Sequence, residues 1–433
     1  VSEKKYKLIT ISDNPLFDSG VALQSRYIID HLAKTGKFSI ISIGAAMKQN
    51  LNQPIKTKEW GDDVVVIPLN EHGNKQIMRQ LLDTEKPDAV WFITDPRFYY
   101  WIWEMEEEIR SVCPLIYWHV WDNLPYPKYN ENFYKSTDYI ACINKLTYNF
   151  LKDNGFGDKS EYLPHGVPKE DYFMESDDSK IAQMRADVLG DEFRDKFILF
   201  YNSRNALRKR TGNAIIAFKK FRDSLPESER DNVFFLMKTP PLDHEGQDLF
   251  KVVECFGLQG KVGFQEKRSH NKDMCKMYQI SDCTISASTE EGFGLSILES
   301  LMTGTPVVCT KTGGMQDQAI DEDTGEIFGF CIEPDAVSCV GSLATPYIYS
   351  DHVDPETFAL KLRQIYDKKK SLGGSITDTK NFFAGKRAVD SSDRRFNLKK
   401  IQERMEQIIL EQIEKHKERI ALKKTSSVRH LSI

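Results

Sequence analysis

The chain has 433 residues, of which 40% are hydrophobic and 28% charged, with a formal net charge of −5. That length exceeds one ordinary core and implies two domains, and the composition excludes a disordered chain. The charge balance excludes a global basic field for nucleic acid or anionic lipid, and no apolar run approaches the ~18–20 residues of a membrane span.

From the N-terminus, "VSEKKYKLITIS" runs straight into a strand (6–12) without the apolar core of a signal peptide. "GVALQSRYIIDHLAKTG" (20–36) has helical apolar spacing, and 38–44 and 62–69 are again strand-like. "KQIMRQLLDTEKP" reads as a helix, with buried strands at 88–94, 114–120 and 138–144. β-Branched runs alternating with amphipathic helices imply a parallel sheet covered on both faces.

A second series follows a polar connector near 168–195. Its strands are expected at 196–203, 232–238, 260–266, 283–288, 305–310 and 329–334. Its helices are "GNAIIAFKKFRDSL", "KDMCKMYQISD" and "LSILESLMTG". The expected fold class is α/β, with two doubly wound Rossmann-like domains, 1–170 and 171–396, facing a cleft. Residues 397–433 form a C-terminal helix and tail. Within it, 397–424 carries a stripe of Leu398, Ile401, Met405, Ile408 and Ile409 that favours docking on the body over a coiled coil.

Eight cysteines, none in a C-x-x-C pair, sit mostly in apolar settings such as "YIACIN" and "PVVCT". They read as reduced, buried thiols of a cytoplasmic protein, with a Cys331–Cys339 disulfide as the weaker alternative.

Two stretches could carry chemistry. In "CTISASTEEGFGLSILESLMTG" a buried strand leads through a glycine loop into a helix N-terminus, an arrangement that favours an anion. Glu291 opens the loop, Gly292 and Gly294 let backbone approach a ligand, and Glu299 sits at the edge of the helix's apolar arc. A polyol would give both carboxylates partners. A solvated Glu291 and a Glu299 paired with a local lysine stand equally on these residues alone. "FYNSRNALRKRTGN" (200–213) sets Arg204 and Lys209 above the end of a strand, where two cations suit a diphosphate. Taken alone it is more simply a solvated basic loop. With the glutamate loop in the same domain, phosphate binding is favoured.

"EGFGLSILE" (Glu291 to Glu299) resembles the E-x7-E signature of glycosyltransferase family 4, retaining enzymes of the two-domain GT-B fold. "YLPHGVPKEDYF", "NSRNALRKR", "GFQEKRSHNKDMCKMYQISDCTISAS" and "GTPVVCTKTGGMQDQ" are similar to other family segments in the same order. The resemblance implies that Glu291 takes the donor sugar's hydroxyls and Glu299 the ribose hydroxyls, while Arg204 and Lys209 hold the diphosphate. The backbone of Phe293, Gly294 and Leu295 would complete the cradle, and His119 would be the cleft histidine near the sugar, although apart from the resemblance it reads equally as a packed strand-end imidazole. Ser19 and Gly20 match the N-terminal glycine loop. The chain departs from the pattern at Ser203 and Arg210, where relatives carry glycine, and at Ser19, where many show a second glycine. The segment "YIYSDHVDPETF" (347–358) follows a longer connection than the family pattern leads one to expect and is read as particular to this chain.

Three other motifs are set aside. "DED" (321–323) lies in a polar turn and reads as solvated charge rather than a metal site. Gly257, Gly260 and Gly263 lack the strand-before-glycine context of a dinucleotide fingerprint. The aromatics of "RFYYWIWEMEEEIR" read mostly as core on one helix. The resulting expectation is a retaining glycosyltransferase, a hexosyltransferase by type, using a nucleotide-diphosphate sugar, with no cofactor and no required metal. The acceptor is open among glycan, lipid-linked, protein and small-molecule classes, as is the oligomeric state. Another GT-B activity, epimerase or phosphorylase, or a non-catalytic sugar-nucleotide-binding module are the alternatives.

Overall fold

The computed structural model describes residues 4–17, 19–45, 53–69, 72–266 and 269–430. The first sheet consists of β1 (Tyr6–Asp13), β2 (Phe38–Ala45), β3 (Val64–Pro68), β4 (Ala89–Thr94), β5 (Leu115–His119), β6 (Tyr139–Cys142) and β7 (Ser160–Tyr162). All pair in parallel, in the order β3-β2-β1-β4-β5-β6-β7. The second sheet begins with β8 (Phe197–Asn202), β9 (Val233–Lys238), β10 (Val262–Phe264), β11 (Cys283–Ser286) and β12 (Val307–Thr310). A small antiparallel pair, β13 (Ile320–Asp321) and β14 (Glu326–Ile327), precedes β15 (Gly329–Ile332), which completes the order β10-β9-β8-β11-β12-β15. Strands such as β4 are buried along their whole length because helices cover both faces, which is why they read as unbroken apolar runs. The strand order reverses between β1 and β4 and between β8 and β11, so the loops after these strands border the ligand crevice of each sheet.

The chain passes between the domains twice, side by side. Val167 bridges Asn397 as a parallel pair, and a Cβ on Gly166 would lie 2.9 Å from both Leu398 Cα and the Phe396 carbonyl oxygen. Only a glycine lets the two passes approach this closely. The helix Leu398–His430 then crosses back over the first domain and buries Ile401, Met405, Ile408, Ile409 and Ile413. Its Glu406 meets His31 and Lys37, each at 2.8 Å, and its Arg419 meets Asp138 at 2.7 Å. The stripe docks on the body, as its spacing implies. The helix runs six residues past the expected 424, to His430. The end of the expected tail, 431–433, lies outside the described residues, as do 267 and 268 in the stretch before the glutamate loop.

Several expectations change. The connector near 168–195 contains the helix Asp178–Leu189, whose wholly buried Arg185 donates to Asp282 at 2.8 Å and to the Lys196 carbonyl at 2.7 Å. The aromatic stretch at 97–110 breaks into the helices Tyr100–Trp103 and Glu106–Val112, though Tyr99, Trp103 and Met105 are core. All eight cysteines are free, but Cys255 and Cys339 are exposed rather than buried. "DED" is not simply solvated: Asp321 is buried and accepts from Ser391 (2.6 Å) and Arg394 (2.5 Å), while Glu322 pairs with Lys145 at 2.5 Å. Those carboxylates join the second domain to the helix Gly385–Arg395 and to the first domain. Among the described residues, no helix is long and apolar enough to cross a membrane.

The docked helix carries a testable consequence. Ile408→Ala is expected to lower stability by about 2–5 kcal/mol in urea titrations, as for other fully buried isoleucines, against a change within about 0.5 kcal/mol for the exposed Gln407→Ala.

Candidate functional site

A cleft of about 640 Å³ lies between the carboxyl edges of the two sheets. Asp13, Ser19, Gly20, Asp122 and His165 line it from the first domain, and Arg204, Arg208, Lys209, the loop Glu291–Leu295 and Glu299 from the second. The second wall is built by the two loops at the β8/β11 reversal. β11 ends in a buried turn, and Gly294, at φ 85°, starts the helix Leu295–Met302 with no side-chain cap. In its first turn Ile297 N bonds back to the Gly294 carbonyl at 2.9 Å, while Leu295 and Ser296 precede the helix's own hydrogen-bond ladder and have no capping side chain. Gly313 backs the loop at φ 43°, where a Cβ would sit 1.9 Å from the Glu291 carbonyl oxygen.

Glu291 forms an ion pair with Lys209; their side chains are only 12% and 11% exposed. Arg208 Nη1 lies 3.6 Å from the same carboxylate and Arg208 Nε 3.9 Å from Asp122 across the cleft. Burial pushes the Glu291 carboxyl up, but Lys209 and Arg208 more than offset it and hold it below the usual range. Burial, with Arg208 beside it, brings the Lys209 ammonium below its ordinary value in spite of Glu291. Glu299 is different. It accepts from the Tyr278 hydroxyl at 2.6 Å and from Asn202 Nδ2 at 3.4 Å, and no cation contacts it among the described residues. Burial pushes it up to about 7 against these hydrogen bonds.

Arg204 lines the cleft but is already held by Asp243, through two bonds of 2.8 and 3.0 Å, and by Glu245 at 2.8 Å. Phe293 is buried, its ring against His165 and Phe396. The Gly292 carbonyl accepts from Asn144 Nδ2 of the first domain at 2.7 Å. Ser19 caps the helix Gly20–Lys34, accepting from Ala22 N, and donates to Asp13 at 2.6 Å. A Cβ on Gly20 would meet Leu295 Cδ1 at 3.3 Å, so the two glycine loops face each other.

His119 does not line the cleft. Its side chain ends β5 and is wholly buried among Tyr117, Trp121, Tyr134 and Phe150, with the Tyr134 hydroxyl 3.2 Å from Nε2. Burial holds it neutral, down to about 3. The histidine that lines the cleft is His165, also neutral through burial, packed between Trp118 and Phe293. It lies in "YLPHGVPKEDYF", a segment matched to the family without a role for its histidine. Arg208 stood inside the basic loop, one residue from Lys209, and was passed over. Asp122 and Tyr278 had no local signal, because tertiary packing alone brings them to the site. Among the described residues, no group of three or more His, Cys, Asp or Glu is placed to hold a metal ion.

Residues 190–338 match the family model "Glycosyl transferases group 1". D-inositol 3-phosphate glycosyltransferase of Corynebacterium urealyticum is 35% identical over 77 residues, 18% of each chain. Alpha-monoglucosyldiacylglycerol synthase of Acholeplasma laidlawii is 24% identical over 201 residues, 46% of this chain and 48% of that one. The matched stretches thus span less than half of these two relatives. Among solved structures, Anabaena Alr3699/HepE in complex with UDP and glucose superposes with TM-score 0.64 at 16% identity, over 94% of this chain and 100% of that one. Sucrose-phosphate synthase from Thermosynechococcus elongatus gives 0.69 at 15%, over 94% and 99%. The chain has the GT-B architecture, with two parallel-sheet Rossmann-like domains, and residues 190–338 within it match the glycosyl transferases group 1 model.

Proposed function

We propose that the protein is a retaining glycosyltransferase that moves a hexose from a nucleotide-diphosphate sugar, UDP-glucose first among candidates, to a hydroxyl acceptor. The observation that carries this reading is the meeting of Lys209, Arg208, Glu291 and an uncapped helix N-terminus in one cleft at the β8/β11 reversal. The UDP and glucose named for the Anabaena neighbour support the donor.

The diphosphate takes Lys209, with Arg204 and Arg208 flanking it, and the N–H groups of Phe293, Gly294 and Leu295. A diphosphate competes with Glu291 for Lys209, which turns Glu291 toward the sugar hydroxyls. Glu299 takes the ribose. The acceptor oxygen bonds to the anomeric carbon on the face that the diphosphate leaves. The carbon–oxygen bond to phosphate breaks, its electron pair departs with the diphosphate, and the acceptor proton passes to a phosphate oxygen. The cations and N–H groups stabilise the charge as it develops. On the first-domain wall the described lining residues include Asp13 and Asp122 and no cation, which suits an uncharged acceptor better than a phosphorylated one. An epimerase, a phosphorylase or a non-catalytic binding module would share the donor site, and turnover with an added acceptor separates them.

Glu291→Gln is expected to cut turnover of UDP-glucose by roughly 100-fold or more and to lower the melting temperature, because it leaves the nearly buried Lys209 ammonium without its carboxylate. Wild-type turnover would remove Glu291 from the chemistry. Lys209→Ala is expected to weaken UDP binding by about 1.5–3 kcal/mol in calorimetry, more than Arg204→Ala, whose guanidinium is already tied to two carboxylates. Full activity is expected in EDTA, and loss restored by manganese or magnesium would overturn the metal-free chemistry.

Glu299 sets a pH dependence. Its folded value, about 7, lies above that of an exposed glutamate, so its protonation stabilises the fold below about pH 4.5 and that contribution is lost as pH rises through 7. Ribose hydroxyls donate to the ionised form, so UDP binding is expected to release protons near pH 6 and to tighten toward pH 8. The same affinity–pH profile in Glu299→Gln would refute the ribose role.

A further inference from the structure

Beyond β15 the chain makes a hairpin that neither sheet uses. β16 (Ala336–Val340) and β17 (Ile348–His352) pair antiparallel, from Ala336 opposite His352 to Val340 opposite Ile348. The family match ends at residue 338, so nearly all of the hairpin lies beyond it. β16 is exposed along its whole length, so the hairpin does not exist to fill its own domain's core.

It reaches the first domain instead. Tyr349 N donates to the Leu124 carbonyl at 2.6 Å, the Tyr129 hydroxyl to the Tyr347 carbonyl at 2.9 Å, and the Tyr100 hydroxyl to the Ala344 carbonyl at 2.8 Å. Asn123, almost fully buried, donates through Nδ2 to the Tyr349 carbonyl (2.9 Å) and to Asp351 Oδ2 (2.7 Å). Its Oδ1 accepts from Leu124 N at 2.8 Å, so both ends of the amide are fixed. Asp351 also reaches the other wall, where its backbone N–H donates to the Thr289 carbonyl at 2.9 Å. Thr289 N in turn donates to the Arg208 carbonyl at 2.9 Å, and Thr289 Oγ1 to Glu290 at 2.7 Å. Asp351 therefore stands between the loop that carries Asp122 and the loops that carry Arg208 and Glu291. A carboxylate–amide bond partly withdrawn from water is stronger than its exposed counterpart, which makes this a firm tie.

We propose that the hairpin 336–352 is a strap between the domains, and that Asn123 and Asp351 are positioning residues that fix the spacing of the two cleft walls. Its kinetic readout rests on the transferase reading; its structural readout does not. With the strap in place, an acceptor on the first-domain wall meets the donor sugar and water is excluded.

The test uses the full chain as wild type, Asn123→Ala, Asp351→Ala, the double variant and Asp351→Asn, which keeps an acceptor oxygen. Hydrogen exchange of residues 120–130 and 288–293 is expected to rise about fivefold or more in each alanine variant, no further in the double variant, and little in Asp351→Asn. UDP affinity is expected to stay within about twofold, while turnover of UDP-glucose loses about tenfold in kcat with its KM within about threefold. Exchange unchanged in both alanine variants, or faster only within the hairpin itself, would overturn the proposal. So would additive effects in the double variant. Failure of the wild-type protein to bind UDP would sink the transferase reading, and the exchange data would still decide the strap.

Discussion

Lys209 and Glu291 are each nearly buried, and each is tolerable there because of the other. An isolated ammonium or carboxylate removed from water costs far more than any one contact returns, so the two must be neighbours. Lys209 comes from the loop after β8 and Glu291 from the loop after β11. They meet only if β8 and β11 lie side by side, which is the reversal point of the second sheet. The topology and the ion pair thus require one another. Gly313 follows from the same constraint: the turn after β12 must press against the Glu291 carbonyl, closer than any Cβ would allow.

What the sequence disclosed follows from how local each signal is. The inner strands of both parallel sheets, such as β4 and β11, write themselves as apolar runs because they are buried on two faces, and apart from the short β7 the strands of both sheets were legible. Glu291, Glu299, Arg204 and Lys209 were legible because a loop between strand and helix is a local pattern. His119 was misplaced because strand alternation is a tertiary fact: an end-of-strand histidine can point to the cleft or to the covering helices, and only packing against Tyr134 and Phe150 decides it. His165 was missed because its segment carries no chemical motif, and its neighbours Trp118 and Phe293 are far away in sequence. Asp321 read as solvated because its partners, Ser391 and Arg394, lie some 70 residues on. The hairpin's irregular connection was visible, but not that its partners were in the other domain.

Three of the devices that couple the first and second domains differ in kind. The paired crossings at Gly166 and Asn397 are covalent and tight, so they act as the pivot. The returning helix buries an apolar stripe, which resists separation but is indifferent to small rotations. The Asn123–Asp351 bond is directional, and direction is what fixes a spacing. Hydrophobic burial holds the domains together; the polar contacts choose where they stop.

The same division of labour separates the two carboxylates of the glycine loop and its helix. Glu291 and Glu299 are both withdrawn from water, yet they are held in opposite protonation regimes. Two cations keep Glu291 ionised, and that charge is spent on Lys209 until a stronger anion competes for it. Glu299 has only hydroxyl and amide partners, so burial prevails and its proton lies within reach of neutral pH. A carboxylate with charged partners suits a ligand that displaces charge, and one with neutral partners suits a ligand that brings hydroxyls. Pairs of titratable groups pushed apart by their surroundings are where differing roles are found, and here the separation is produced by which loops Arg208, Lys209 and Tyr278 arrive on.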